Sequence, residues 1–395
     1  MKTSYIIAGS RTAIGSFGGT LADHTAVDLG TVAAVETLKR ASAEPADVDE
    51  VLFGSIYQAG LGQNAARQIA MRSGVPQERT AMTVNMLCGS GLRTVALAAQ
   101  AVSCGDADTV LAGGAESMTN PPYLLKKARS GYRIGHGELL DSMIHDGLWC
   151  CFNDYHMGVT AENLAQRYNL TREEQDRFAA GSQNKAEAAQ KAGRFDAEIA
   201  PVSIPQRKGD PIVFAKDEYP KHGTTTEKLA GLKPAFKKDG TVTAANSSGI
   251  NDGAACVFVA SEEKTKARGW DPMARIVSYA WAGTDPAVMG IGPVEAVTKA
   301  LAKAGWTLPE IDLIEANEAF AAQALAVGRE LKWDPDKVNV NGGAIALGHP
   351  VGASGSRVLV TLLHEMERRK ARKGLATLCV GGGMGIAMCV ENLRN

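Results

Sequence analysis

No apolar run in this chain approaches the roughly eighteen residues that a helix needs to cross a bilayer. The stretch from Met1 to Gly9 carries one lysine and an apolar run too short for a secretory signal, so it reads as a first strand. Charge of one sign is lacking as well. The 42 Lys and Arg stand against 43 Asp and Glu, and a net charge of −1 exerts no general pull toward nucleic acid or a membrane surface. Cysteine occurs seven times, an odd number, without the paired spacing of a zinc ribbon or a disulfide framework. These absences predict a reduced, cytoplasmic protein, and the ending Leu393-Arg394-Asn395 is no peroxisomal address.

Glycine, by contrast, is plentiful. It fills 43 of 395 positions, against a usual share of roughly 7%, so tight turns and close backbone approaches are expected. The length exceeds one compact core and predicts two or three domains. Residues 1–119 alternate strand and helix: a strand at Ser4 to Ala8, a helix at Ala26 to Arg40, a strand at Val51 to Ile56, a helix at Asn64 to Ser73. The run Val84-Asn85-Met86-Leu87 then reads as a buried strand ending at Cys88, with a helix opening at Ser90 and a strand from Thr109. Such alternation predicts a helix-covered, mainly parallel sheet.

The C-terminal third repeats the pattern. Pro45-x-Asp-Val-Asp matches Pro309-Glu-Ile-Asp, and Ser90-Gly91-Leu92-Arg93 matches Ser354-Gly355-Ser356-Arg357, with 45 residues from proline to serine in both halves. Each Ser-Gly-x-Arg opens a helix that leads to a glycine-bearing strand end, Leu111-Ala-Gly-Gly114 or Cys379-Val-Gly-Gly-Gly383. The reading is a duplicated α/β unit. The halves differ where residues 120–250 are inserted at a strand end, the place where α/β folds hold their ligands. The insertion opens one helix with a capping box at Thr171 and Glu174, and it is expected to cover the site and bind substrate.

Cys88 falls near the start of a helix, where unpaired N–H groups and the dipole favour an anion, a setting expected to lower a thiol pKa. His349 stands in Gly348-His349-Pro-Val-Gly-Ala-Ser354-Gly, just before the mirrored helix. Pseudo-twofold symmetry brings the two helix starts together, and with them a nucleophile and an activating base. Cys379 ends the last glycine-rich strand, and Gly381 beside it can offer a backbone N–H to an oxyanion. Asn317 follows a strand and can orient a water or a carbonyl. Cys104, Cys256 and Cys389 read as ordinary buried cysteines.

Taken together, Cys88-Gly-Ser-Gly, Asn317-Glu-Ala-Phe, Gly348-His349-Pro-x-Gly-x-Ser-Gly and Cys379-x-Gly-Gly-Gly-Met-Gly resemble the signature blocks of the thiolases, in order and across essentially the whole chain. Tyr155-His156-Met157-Gly, Asn246-Ser-Ser-Gly249 and the Asp141 to Leu148 loop resemble the short-chain acetyl-CoA acetyltransferases within that family. The resemblance implies an α/β fold of duplicated βαβαβαββ halves stacked as a layered α/β/α/β/α core. The expected parts are 1–119 with 251–270, an inserted loop domain at 120–250, and 271–395.

It also implies reversible condensation of two acetyl-CoA to acetoacetyl-CoA and CoA, with no cofactor or metal, in a homotetramer built as a dimer of dimers. By that resemblance Cys88 takes the acyl group and His349 activates it. Cys379 moves the α-proton, Asn317 holds a water at the enolate oxygen, and Gly381 with Cys88 binds the tetrahedral oxyanion. Leu148, His156, Met157, Lys221, Phe236, Ser248, Ala319 and Phe320 match positions lining the coenzyme A and acyl pocket, Lys221 standing where an arginine is expected.

Residues 201–238 hold eight Lys/Arg against four Asp/Glu, which suits a phosphate-bearing ligand or a solvated basic face. Three other readings compete: a decarboxylating ketoacyl synthase, a thiol–imidazole metal or redox-sensing protein, and a non-catalytic acyl-CoA binder. A synthase lacks a second catalytic cysteine, no fourth metal ligand stands at sensible spacing, and a mere binder has no need of two cysteines, a histidine and an asparagine together. A 3-ketoacyl-CoA thiolase of broader chain length is the nearest alternative in the same family.

Overall fold

A computed structural model describes residues 2–394. Its main sheet runs through β1 (Ser4–Thr12), β2 (Glu50–Gly54), β3 (Thr80–Val84), β4 (Thr109–Ser117), β5 (Asn251–Ser261), β6 (Ala274–Gly283), β7 (Leu313–Ala316), β8 (Lys373–Val380) and β9 (Met384–Asn392). Across the sheet the order is β7-β8-β9-β6-β1-β5-β4-β2-β3. The duplication is visible in that order: β1, β5, β4 and β2 of one half correspond to β6, β9, β8 and β7 of the other. The two half-sheets join through only two residue pairs, Tyr5 with Arg275 and Ile6 with Ala274. The counterpart of β3 is reduced to one parallel bridge, Ile314 to Val338.

The expectation of a mainly parallel sheet is corrected to a mixed one. β2 runs parallel to both β3 and β4, and β7 runs parallel to β8. The last strand of each half, however, folds back antiparallel on its neighbour and meets β1 or β6 antiparallel as well. A second correction concerns the run before Cys88. The strand there stops at Val84 and is only half buried, because it forms the open edge of the sheet.

The main helices are α1 (Ala26–Arg40), α2 (Ala65–Arg72), α3 (Ser90–Cys104), α4 (Met157–Arg167), α5 (Arg172–Lys191), α6 (Gly292–Ala304), α7 (Ala321–Leu331) and α8 (Ser354–Arg369). α1 and α2 cover one face of the N-terminal half-sheet, packing Leu29, Ala33 and Ile69 against Leu111 and Phe258. α6 covers the outer face of the other half, with Val297 and Ala300 against Leu375 and Cys389. Between the half-sheets lie α3 and α8, whose Leu92, Val95, Leu359 and Leu362 pack with Val257 and Leu378. The result is five layers, α/β/α/β/α.

This central position explains why α8 is buried all round from Ser354 to Leu363, although its sequence reads as a one-sided stripe. The two central helices meet at their mirrored serine-glycine pairs. A Cβ on Gly355 would lie 2.2 Å from the Leu92 nitrogen, and one on Gly91 would lie 2.7 Å from the Ser356 nitrogen. Backbone meets backbone there, so the two helix starts converge as the repeat predicts.

Within 120–250, Thr171 and Glu174 form the expected capping box at the start of α5. The segment is pinned to the N-terminal half by the fully buried Arg11. Its Nε donates to Glu198 at 2.5 Å, and its two terminal nitrogens donate to the Asp217 carboxylate at 2.7 and 2.9 Å. A buried charge paired and hydrogen-bonded in this way is strongly destabilising to break, so Arg11 holds the insertion in place.

Candidate active site

The turn that carries Cys88 is built by its neighbours. Leu87 takes a left-handed conformation, φ 46°. Ser90 Oγ accepts from the Met86 N–H at 2.8 Å and donates to the Leu87 carbonyl at 2.6 Å. Cys88 therefore sits just ahead of α3, partly buried, with its thiol turned toward the C-terminal half.

His349 arrives from that half. Its backbone N–H donates to Asn251 Oδ1 at 2.9 Å, which ties its loop to the start of β5. Its ring Nδ1 lies 2.6 Å from Ser354 Oγ, and that hydroxyl is also 3.0 Å from the Pro350 carbonyl. The Asn317 amide nitrogen, 3.5 Å from Nε2, can only donate, so Nε2 is an acceptor and the ring proton sits on Nδ1. The Ser354 hydroxyl oxygen receives that proton and gives its own to the Pro350 carbonyl. Nε2 also stands 3.3 Å from Cys88 Sγ.

Asn317 follows β7, its N–H donating to the Thr377 carbonyl at 3.0 Å. The turn is held from behind by Asn339, whose side chain pairs with both the N–H and the carbonyl of Ala316 at 2.8 Å. The adjacent Glu318 is buried among Ser182, Asn339 and the Ile345 N–H. Asn317 Oδ1 is buried without a protein partner. A buried acceptor left open beside a histidine is a place for a polar ligand.

Cys379 is fully buried near the end of β8, and the nearness of Cys88 adds to burial in raising its thiol. Gly381 follows, and its N–H and that of Cys88 itself both interact with the Cys88 thiol. Burial nevertheless dominates and pushes that thiol up to about 11. The expected lowering at a helix start is thus corrected: loss of water outweighs the two N–H groups, and Cys88 rests as a thiol. Burial likewise drives Cys379 far above the ordinary thiol range and, with the positive Arg357, lowers His349 to about 3. All three groups are neutral at rest.

Two apolar clusters flank them. Cys379 packs with Met157, Met289, Ala319 and Phe320, and Phe236 leans on the same group. The His156 ring stacks on Phe236 at 4.7 Å, and Phe236 meets Phe320 edge-on at 6.0 Å. The Ser248 N–H donates to the Ala319 carbonyl at 2.9 Å, bringing that residue alongside. Leu148 lies in the other cluster, with Cys88, Ile56, Tyr57 and Val351. Lys221 is apart from both: its ammonium lies 5.4 Å from the Tyr219 ring, in a surface groove with Gln190, Pro220 and His222. Of the acids in 201–238, Asp217 is buried against Arg11, whereas Glu218, bonded to Ser16 and Thr20, lines the same groove as Lys216 and Lys221. Cys256 and Cys389 are buried as expected, whereas Cys104 is exposed at the end of α3.

Residues 4–263 match the family model described as thiolase, N-terminal domain, and residues 270–392 match thiolase, C-terminal domain. The chain belongs to the thiolase family. It is 61% identical over 388 residues to an acetyl-CoA acetyltransferase of Pseudomonas aeruginosa, covering 98% of this chain and 99% of that one. It is 59% identical over 391 residues to an acetyl-CoA acetyltransferase of Cupriavidus necator, covering 99% and 100%. Its structure superposes on the Bacillus anthracis acetyl-CoA acetyltransferase with TM-score 0.97 at 47% identity, over 100% and 99% of the two chains. It superposes on human mitochondrial 3-ketoacyl-CoA thiolase in complex with CoA with TM-score 0.95 at 44% identity, over 99% and 98%.

Three residues of this thiolase site escaped the sequence reading. Ser354 stood in the histidine motif and the repeat without a role of its own, and Asn251 and Met289 follow no motif. The latter two act through contacts with elements distant in sequence, which spacing along the chain does not show.

Proposed function

We propose that this thiolase is an acetyl-CoA C-acetyltransferase in which Cys88, His349, Cys379 and Asn317 divide the chemistry. The observation that carries the reading is the approach of His349 Nε2 to Cys88 Sγ at 3.3 Å, in the tautomer that leaves Nε2 free to take a proton. Cys88 attacks the carbonyl carbon of acetyl-CoA as its proton passes to His349. The oxyanion is held by the N–H groups of Cys88 and Gly381, fixed donors whose worth in such sites is ~3–4 kcal/mol each.

The tetrahedral adduct collapses to acetyl-Cys88 and a CoA thiolate. Burial keeps Cys379 a thiol, so it gives its proton to that leaving group and becomes the base for the second step. It then takes the α-proton of a second acetyl-CoA. The enolate oxygen lies between the His349 imidazolium and a water held by Asn317, whose open Oδ1 can accept from it. The enolate carbon attacks acetyl-Cys88, acetoacetyl-CoA leaves, and His349 returns its proton to Cys88. Protons balance over the cycle, and thiolysis is the reverse.

Met157, Phe236, Ala319 and Phe320 form the acyl pocket, with His156, Leu148 and Ser248 along the approach of the pantetheine arm. Lys221 and its basic surroundings receive the nucleotide. The inserted loop domain, 120–250, carries most of this binding surface between the two halves, 1–119 with 251–270 and 271–395. Loop 124–147, which projects Ile134 and Leu139 into solvent, joins two dimers into a homotetramer in the cytoplasm. Cleavage of acetoacetyl-CoA by free CoA, run beside six- and eight-carbon 3-ketoacyl-CoAs, tests the activity. A kcat/KM favouring the longer substrates would replace this reading with that of a broader 3-ketoacyl-CoA thiolase.

A further inference from the structure

Glu116 is buried at the end of β4 and belongs to no motif. Its Oε1 accepts from Ser55 Oγ at 3.3 Å and the Tyr57 N–H at 3.2 Å, while Oε2 accepts from the N–H groups of Ile56 and Gly352, both at 3.0 Å. One carboxylate thus bridges the loop after β2 and the loop that carries His349. The fit at Gly352 is close: a Cβ there would lie 2.5 Å from Oε2. Around this polar centre, Ile56, Tyr57 and Val351 make an apolar cluster with Cys88 at its rim. The Tyr57 hydroxyl extends the linkage to the Met143 carbonyl in the insertion, at 3.0 Å.

We propose that Glu116 is a positioning residue of the thiolase reaction, its carboxylate tying the His349 loop to the loop after β2 and so keeping Nε2 aligned on the Cys88 sulfur. The inference rests on the roles given above to Cys88 and His349. The charge is held by N–H groups and one hydroxyl. Facing it are the Tyr57 hydroxyl from the loop after β2, the Cys88 thiol from the turn before α3, and the Gly352 N–H from the His349 loop. Burial pushes its carboxyl up to about 7, against the four donors. Protonation turns a charge-assisted acceptor into a neutral one about half as strong, and the tie to Gly352 weakens. Alignment is therefore tightest above that pH and slackens below it.

The test is the rate at which iodoacetamide, a neutral probe, alkylates Cys88 between about pH 5.5 and 9, scored by peptide mapping. Cys88, at about 11, stays far below its midpoint there, so its thiolate fraction contributes a constant slope of about tenfold per pH unit, and His349 at about 3 adds no step. A further rise above that slope, centred near pH 7, is expected, and Glu116→Gln should abolish it and leave the rate above pH 7 on the order of tenfold lower. Ser55→Ala removes one donor to the carboxylate, so the rise should move to higher pH. That second variant decides the matter if the first fails to fold. It also separates Glu116 from the buried Glu315, raised to about 8 beside Arg357, which Ser55 does not touch. A rise that keeps its position in Ser55→Ala, or a Glu116→Gln enzyme that alkylates like the native one, overturns the proposal. Because alkylation needs no turnover, failure to form acetyl-Cys88 from acetyl-CoA would instead count against the functional reading.

Discussion

His349 Nε2 faces Cys88 Sγ across 3.3 Å, and at neutral pH neither carries charge, since burial holds the thiol up to about 11 and the imidazole down to about 3. The pair is a neutral thiol beside a neutral base, and the proton moves only as the carbonyl is attacked. A standing thiolate would react with passing oxidants and alkylators. A neutral thiol avoids this until substrate supplies the electrophile.

From that arrangement, radiolabelled acetyl-CoA should leave its label on Cys88. Quenching and peptide mapping reads the outcome, and label on Cys379 alone would exchange the two roles.

Cys379→Ala should lose carbon–carbon bond formation far more than acylation of Cys88, because enolate formation cannot proceed without a base at the α-carbon, whereas a CoA thiolate can leave without the Cys379 proton. Acyl-enzyme accumulation and acetoacetyl-CoA synthesis are to be measured side by side. Equal loss of both would mean that the first step depends on the Cys379 proton as strongly as the second depends on its base, or that Cys379 supports the local packing.

Ser354→Ala removes the acceptor for the Nδ1 proton, at 2.6 Å, and lets the ring turn or change tautomer. We expect kcat to fall roughly 10–100-fold, with KM little changed and Ser354→Thr restoring part of the loss. A larger effect on KM than on kcat would place Ser354 in substrate binding.

Met157 packs in the cluster that contains Cys379, Phe320 and Met289. Met157→Ala should open the acyl pocket and shift preference toward six-carbon or 2-methyl-branched 3-ketoacyl-CoAs. A methylene in an apolar pocket is worth roughly 1–3 kcal/mol, so the ratio of kcat/KM values should change about tenfold or more. If both activities fall together and the ratio stays, Met157 is ordinary core.

Ile134 is 98% exposed, and Leu139 and Tyr123 are more than half exposed, all on one projecting loop. Apolar side chains of this size held out in water fit a contact with a second copy of the chain. Light scattering at assay concentration should give a tetramer, and a dimer there would rule out this use of the loop.

Much of this protein was determined along the chain itself. The repeat of Pro45 and Ser90 in Pro309 and Ser354 carried the duplication, and duplication required two helix starts to converge, which brought Cys88 to His349. The glycines of the mirrored Ser-Gly pairs let those helix starts meet backbone to backbone, at Gly91 and Gly355. Tertiary structure decided what depends on distance from water and on partners far apart in sequence. The charge state of Cys88 does not follow from its helix-start position, because desolvation is a property of the packed surroundings and no local spacing records it. The tautomer of His349 hangs on the Asn317 amide, which meets the ring only in the fold. Glu116 gathers residues 61 positions before it and 236 after it around one carboxylate, and only the folded chain puts those donors in reach.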